Sequence, residues 1–322
     1  MSNSITETAA SVVQARSRIR SHIYQTPLLP ARHIGKSNNS TVLLKAENFQ
    51  HTGSFKFRGA MSKLSAQSSD VRLITASSGN HGIAAACAAQ TLSRDVTVVL
   101  PETVVKAKLE KIKAYGVNVI LHGGETGLAE QYAQHLAATE GYTYISPYND
   151  PNIVAGQGTI GLEILEQCEH VDNVFVAMGG GGLISGIGSV MKSFSPRTKI
   201  YGVSATNTKA LAASMAAGRV VETEHLPTLA DGVAGGMDVG SITLPLAMAV
   251  VDEVLECTEE EIRSALRTLA YEENLIVEGS AALALAGYEK ASADVAGQTS
   301  VLIMCGANVD RDFVRKEIFG LR

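Results

Sequence analysis

The sequence predicts an α/β protein of two domains, with mostly parallel sheets flanked by helices, and three observations carry that prediction. Short β-branched runs recur along the chain, Ala-rich segments of helix length separate them, and 322 residues that are 45% apolar suffice to bury two cores. The runs are Val42–Lys45, Leu73–Ala76, Val96–Leu100, Val117–Leu121, Val174–Met178, Ile200–Ser204 and Val301–Cys305. Alternation of strand and helix at this spacing favours parallel strands, because each parallel return needs a crossover. The chain opens on a helix, where Ser4 and Glu7 form a capping box before Ala9, Val12, Val13 and Ile19. No repeat, low-complexity tract or Pro- or Ser-rich linker interrupts the pattern. The second domain is therefore expected as an untethered insertion, roughly residues 71–148, in a larger unit made from 1–70 and 149–322.

Composition narrows the function classes. The formal charge of −5 comes with no run of Lys and Arg interleaved with aromatics, so neither nucleic acid nor an anionic membrane is an expected partner. Cys87, Cys168, Cys257 and Cys305 include no C-x-x-C pair and have no His at metal-ligand spacing, which argues against a disulfide framework and a zinc site and fits a reducing cytoplasm. The N-terminal segment lacks the apolar core of a signal peptide, and no run of about 18 apolar residues occurs to span a bilayer. Asn38 and Asn39 each begin an N-x-S/T triplet, read here as a polar turn.

In such folds ligands bind outside the carboxyl ends of the strands, where loops lead into helix N-termini. Three of those loops are unusual: TASSGNHG (75–82), AMGGGGLISG (177–186) and MCGANVD (304–310), while a fourth segment, HTGSFKFRGA (51–60), precedes a helix. Gly179, Gly180, Gly181 and Gly182 stand between a strand and a helix beginning near Leu183. Glycine permits positive φ and lets backbone N–H groups approach an anion, and the helix dipole adds partial positive charge. The pattern reads as a phosphate cradle rather than a flexible turn. Without the Lys-Ser or Lys-Thr of nucleotide hydrolases it points to a smaller phosphorylated cofactor. Lys56 lies between Phe55 and Phe57, which suits a partly desolvated amine of lowered pKa, available to a carbonyl; alone, a lysine at a helix start is more often a snorkelling surface group, and the neighbouring motifs raise the first reading. Ser78-Gly79-Asn80-His81-Gly82 offers a hydroxyl, an amide and N–H groups suited to a carboxylate or a ring oxygen, although His81 by itself is equally a satisfied core histidine.

In this order and spacing, GSFKFRGA, SSGNHG, the glycine tetrad and CGANVD resemble the fold-type-II pyridoxal-phosphate enzymes, whose fold is tryptophan-synthase-β-like, and most of all the serine/threonine dehydratase and serine racemase group. The likeness runs from about Gln25-Thr26-Pro27-Leu28 to the end and includes Pro147-Tyr148-Asn149-Asp150, Ala155-Gly156-Gln157-Gly158-Thr159, Ala230-Asp231-Gly232 and Glu278. It implies that Lys56 holds pyridoxal 5'-phosphate as a Schiff base and then acts as the base at the substrate α-carbon. It further implies that Phe55 packs on the ring, Asn80 bonds the 3-hydroxyl, the four glycines hold the phosphate, and Ser77, Ser78, Asn80 and His81 receive the substrate carboxylate. Ser78 matches the residue that faces the lysine across the ring in racemases. The implied activity is β-elimination of water from threonine, serine or another 3-hydroxy amino acid, followed by hydrolysis to a 2-oxo acid and ammonia, by a cytoplasmic homodimer without the regulatory domain of the biosynthetic threonine dehydratases. Racemisation and a non-catalytic binding role are the rival readings.

The sequence departs from the group at three places. Cys305 matches the serine or threonine that faces the pyridine nitrogen, a weak neutral partner that also suits a buried strand end. The segment Ser204-Ala205-Thr206-Asn207-Thr208-Lys209-Ala210 lacks the carboxylates with which some relatives bind a divalent cation, so no metal site is expected there. The arginine that reads a second substrate carboxylate in some relatives falls near Leu128.

Overall fold

The protein, described from a computed structural model, is defined over residues 4–321; the predicted domain limits at 1–3 and 322 lie outside the described residues. In chain order the strands are β1 (Leu28–Pro30), β2 (Thr41–Lys45), β3 (Leu73–Ala76), β4 (Val96–Leu100), β5 (Asn118–Leu121), β6 (Thr143–Tyr144), β7 (Asn173–Ala177), β8 (Lys199–Ala205), β9 (Glu253–Cys257) and β10 (Thr299–Ile303). They form a six-stranded sheet of order β1-β2-β10-β7-β8-β9 and a four-stranded sheet of order β5-β4-β3-β6. Every pairing is parallel except β1 with β2. The α/β architecture with mostly parallel sheets is therefore as the sequence predicts.

All four strands of the smaller sheet come from residues 73–144, inside the stretch read as an insertion, while the larger sheet takes strands from both sides of it. Val174, Phe175, Ile187, Leu285 and Leu302 belong to one apolar cluster around the larger sheet. A second joins Leu73, Ala84, Val98 and Ile112 on one face of the small sheet to Ile19, Phe57, Met61, Leu64 and Ile153 from the flanking segments, and a third, with Ile74, Val99 and Ala133, covers the other face. Strands buried on both faces read as continuous apolar runs, which is why VTVVL and LITA were legible as strands.

The helices that matter for the site are α1 (Ile5–Ile19), α2 (Lys56–Ser65), α3 (Asn80–Leu92), α4 (Lys106–Lys113), α5 (Thr126–Thr139), α6 (Pro151–Gln167), α7 (Gly182–Phe194) and α11 (Gly279–Lys290), with α8 (Ala210–Ala217), α9 (Thr243–Val250) and α10 (Glu259–Tyr271) completing the larger unit. The expected capping box opens α1: Glu7 N–H donates to Ser4 Oγ at 3.2 Å and Ser4 N–H to Glu7 Oε2 at 2.8 Å. Asn38 and Asn39 fall in a 3₁₀ turn, which Asn39 ends with φ 56°. Among the described residues no helix is long and apolar enough to cross a membrane.

The strand predicted over 301–305 is shifted to Thr299–Ile303. Met304 N–H still reaches Lys45 O at 3.0 Å, but the chain then turns to pair Gly306 with Ser54 and to accept Phe55 N–H on Cys305 O at 3.0 Å. That departure from the ladder carries Cys305 to the start of α2. β1, β6 and β9 went unread because they are very short or alternate with acidic residues on an exposed edge.

Candidate active site

Lys56 is the first residue of α2 and is half-buried. Its Nζ donates to Pro147 O at 2.8 Å and lies 5.3 Å from the centre of the Phe55 ring. Burial lowers the amine to about 8, against smaller opposing pulls from Cys305 and Glu278. The two flanking phenylalanines do not share this work. Phe57 points into the core with Met61, Leu64 and Ile153, its ring edge-on to His51 at 5.3 Å, so only Phe55 accompanies the amine.

After β7 the glycine tetrad leads into α7, and each glycine is required by a close approach or by its φ. Gly181 has φ 88°; a Cβ on Gly180 would fall 2.4 Å from the Tyr148 ring, and one on Gly182 3.2 Å from Tyr148 Cα. Thr243 Oγ1 ties the turn by donating to Gly180 O at 2.7 Å, and Tyr148 is held by Asp238 N–H, which donates to its hydroxyl at 2.7 Å. Among the described residues the N–H groups of Gly179 to Gly182 meet no acceptor, which leaves a ring of donors at a helix N-terminus.

A second such array opens α3, at the carboxyl end of β3. Gly79 N–H donates to Ser77 Oγ at 3.2 Å, whereas the N–H groups of Asn80, His81 and Gly82 have no partner among the described residues. Gly82 is forced, since a Cβ there would lie 1.9 Å from Ser77 O. His81 Nε2 is 3.2 Å from Ile145 O, an acceptor, so the ring carries its proton on Nε2; burial and Lys56 push it down to about 3. Nδ1 is left bare and unpartnered. The imidazole therefore cannot donate to a carboxylate, and what His81 offers an anion is its backbone N–H. Ser78 is half-buried at the same turn.

Asn80 and Cys305 meet around residues that sequence reasoning had not assigned to the site. Asn80 Nδ2 donates to both oxygens of Glu278 at 3.0 Å, and Asn308 Nδ2 donates to Asn80 Oδ1 at 2.7 Å. Cys305 is buried, and that burial, reinforced by the Glu278 carboxylate, holds its thiol well above the usual range. The signal for Glu278 was present: one carboxylate heads an otherwise apolar helix start, NLIVEGSAAL. Pro147, Tyr148 and Asn308 stand in motifs already noted for their resemblance, but they contribute through backbone or loop contacts whose roles the residue types do not announce.

The loop after β8 is tied to the segment after α8 and to β9. Thr208 Oγ1 meets His225 Nδ1 at 2.9 Å and Lys209 Nζ pairs with Glu256 at 2.6 Å, while Ser204 is buried. Among the described residues no group of three His, Cys, Asp or Glu could hold a metal ion. Leu128, in the first turn of α5, is exposed.

An amine of lowered pKa, a cradle that no Cβ could enter and a second set of free N–H groups fit a phosphorylated aldehyde and an amino-acid carboxylate. A family model described as "Pyridoxal-phosphate dependent enzyme" matches residues 19–306, and the chain belongs to that family. Pyridoxal phosphate is thus its cofactor. The chain is similar to the catabolic L-threonine dehydratase of Staphylococcus aureus, with 38% identity over 321 residues covering 96% of this chain and 92% of the relative. Among solved structures it resembles the processed form of threonine deaminase isoform 2 from Solanum lycopersicum (TM-score 0.91, 31% identity, 98% of this chain and 95% of that one). It also resembles maize serine racemase (TM-score 0.89, 28% identity, 97% of each chain).

Proposed function

We propose that this chain is an ammonia-lyase that converts a small 3-hydroxy amino acid, L-threonine or L-serine, to a 2-oxo acid and ammonia. The observation that carries the proposal is the pair of unpaired N–H arrays flanking Lys56: its Nζ donates to Pro147 O, beside the Tyr148 against which the glycine tetrad packs, and its charge acts on His81 at the start of α3. When bound, pyridoxal phosphate supplies an electron sink for charge developed at the substrate α-carbon. Gly179 to Gly182 would hold its phosphate, Phe55 would pack on its ring, Asn80 would bond its hydroxyl and Cys305 would offer a neutral thiol to its nitrogen. The N–H groups of residues 80–82, with Ser77 and Ser78, orient the substrate carboxylate. Lys56 Nζ takes the α-proton, and with a pKa of about 8 the free amine is basic enough to accept it and acidic enough to return it near neutral pH. The four-stranded sheet formed wholly within 73–144 supports reading 71–148 as a mobile unit whose closure excludes water until the hydroxyl has left. We read the chain as a cytoplasmic homodimer that handles a free amino acid.

Racemisation is the second reading. We read Ser78, half-buried at the α3 turn, as the residue that would serve the opposite face, and the likeness to maize serine racemase supports that reading. A carbanion beside a β-hydroxyl expels it unless the site protects it, so elimination is preferred. The test follows 2-oxo acid and D-isomer in one reaction with L-serine and with L-threonine, after borohydride trapping has located the cofactor. We expect the adduct on Lys56, rapid 2-oxo acid release and little D-isomer. Fast inversion of L-serine with little 2-oxo acid replaces the lyase with a racemase, and a colourless protein inert to both amino acids replaces it with a binding protein.

A further inference from the structure

Glu278 is 4% exposed and carries a carboxylate that forms no ion pair among the described residues. A buried carboxylate without a cation in contact is costly, so its retention calls for a reason beyond packing. Its surroundings are built round it. A Cβ on Gly306 would fall 2.7 Å from the carboxyl carbon, Glu278 N–H donates to Gly306 O at 3.0 Å, and Asn308 N–H donates to Oε2 at 3.3 Å.

What the carboxylate does is visible at Asn80. The side-chain amide is gripped at both ends by groups of opposite polarity, an acceptor at Nδ2 and the Asn308 donor at Oδ1. A flipped amide would set Oδ1 against the carboxylate and Nδ2 against Asn308 Nδ2, so a single orientation survives. With Nδ2 equidistant from the two Glu278 oxygens, one N–H shared between them would leave the second N–H of Asn80 for the ring.

We infer that Glu278 is a positioning residue for the cofactor: it locks the Asn80 amide so that an N–H, and never the oxygen, is presented to the ring. This rests on the reading above that Asn80 meets the ring hydroxyl. The charged and titratable groups facing Glu278 are Asp231 in the 3₁₀ turn Asp231–Val233, Lys56 at the start of α2 and Cys305 after β10. Burial first, then Asp231, push Glu278 up to about 7, against the hydrogen bonds of Asn80 and Asn308 and the charge of Lys56. Below that pH the carboxyl gains a proton, becomes a donor on one oxygen and weakens its hold on Asn80.

The test is a cycle of Glu278→Gln, Asn80→Ala and the double variant, read by the cofactor dissociation constant from equilibrium dialysis and by the visible absorbance of the bound cofactor against pH. Each single change should weaken cofactor binding about tenfold, the loss of one charge-assisted hydrogen bond. The double variant should be no weaker than Asn80→Ala alone, because Glu278 acts only through Asn80. Wild type should show a spectral step near neutral pH that Glu278→Gln lacks. If Glu278→Gln fails to fold, Asn308→Ala replaces it in the cycle with the same expected non-additivity. Losses that multiply in the double variant, wild-type affinity in Asn80→Ala, or a spectral step unchanged in Glu278→Gln would each overturn the proposal. None of these readouts needs turnover, so absence of 2-oxo acid production would sink the lyase reading and leave this one standing.

Discussion

Lys56 shows how one side chain acquires its chemistry from its surroundings. Burial favours the neutral amine, so the pKa falls from the ordinary lysine value to about 8. Only the neutral amine attacks an aldehyde. The rate at which cofactor-free protein takes up pyridoxal phosphate should therefore rise about tenfold from pH 6 to pH 7 and level off above about pH 8. Stopped-flow absorbance would follow it, and a rate that kept climbing to pH 10 would contradict the lowered pKa. The FKF context announced the lowering but credited the wrong pair of rings, since Phe57 turns away and the effect comes from enclosure beside Phe55 and Pro147. His81 was ambiguous in sequence because a ring's tautomer depends on its partner, here the carbonyl of Ile145 sixty-four residues away.

At the scale of elements, α2 is anchored on the side opposite Lys56 by a buried knot of charges. Arg58 Nε bonds Glu47 at 2.7 Å and its NH1 bonds Glu163 on α6 at 2.7 Å, while Lys45 on β2 reaches the same Glu163 at 2.7 Å. All four side chains are at most 1% exposed. Burial opposes the charge on Arg58, yet the two carboxylates prevail and hold its pKa above the usual range. The paired charges cancel, so the knot costs little while complete and much when one member is missing. Arg58→Met should destabilise the protein by about 3–5 kcal/mol, measured by urea unfolding, because two carboxylates would then share Lys45 as their buried cation. A loss below about 1 kcal/mol would mean that water enters and solvates the knot. The GSFKFRGA motif displayed Arg58 but not its purpose; its partners lie at Lys45, Glu47 and Glu163, and nothing in their spacing links them.

Across the whole molecule, Asn308 joins the two sheets. Its Oδ1 accepts from Lys111 on α4 at 2.9 Å, and its Nδ2 donates to Asn80 and to Thr52 O, at 2.7 and 2.8 Å. Two residues of the smaller unit thus converge on one amide of the larger. On the proposed closure of 71–148, these bonds would add to substrate binding without touching the reacting atoms. Lys111→Ala should raise KM for L-threonine about threefold and leave kcat within about twofold, in steady-state measurements. An unchanged KM would make Lys111 an ordinary surface lysine.

By itself the sequence determined the alternation of strands and helices, the two helix N-termini that await anions, the reactive lysine and hence the family and cofactor. These are properties of short windows, in which periodicity, glycine placement and residue type act locally. Only the tertiary structure decided which groups surround that lysine. Pro147 O comes from the segment after β6, and Cys305 reaches the lysine because the chain leaves β10 two residues early and pairs Gly306 with Ser54, a contact between segments 252 residues apart, with Glu278 held against the same turn. Tautomer, amide orientation and desolvation are all set by such long-range partners, so the protonation states on which the chemistry depends could be read only after the chain had folded.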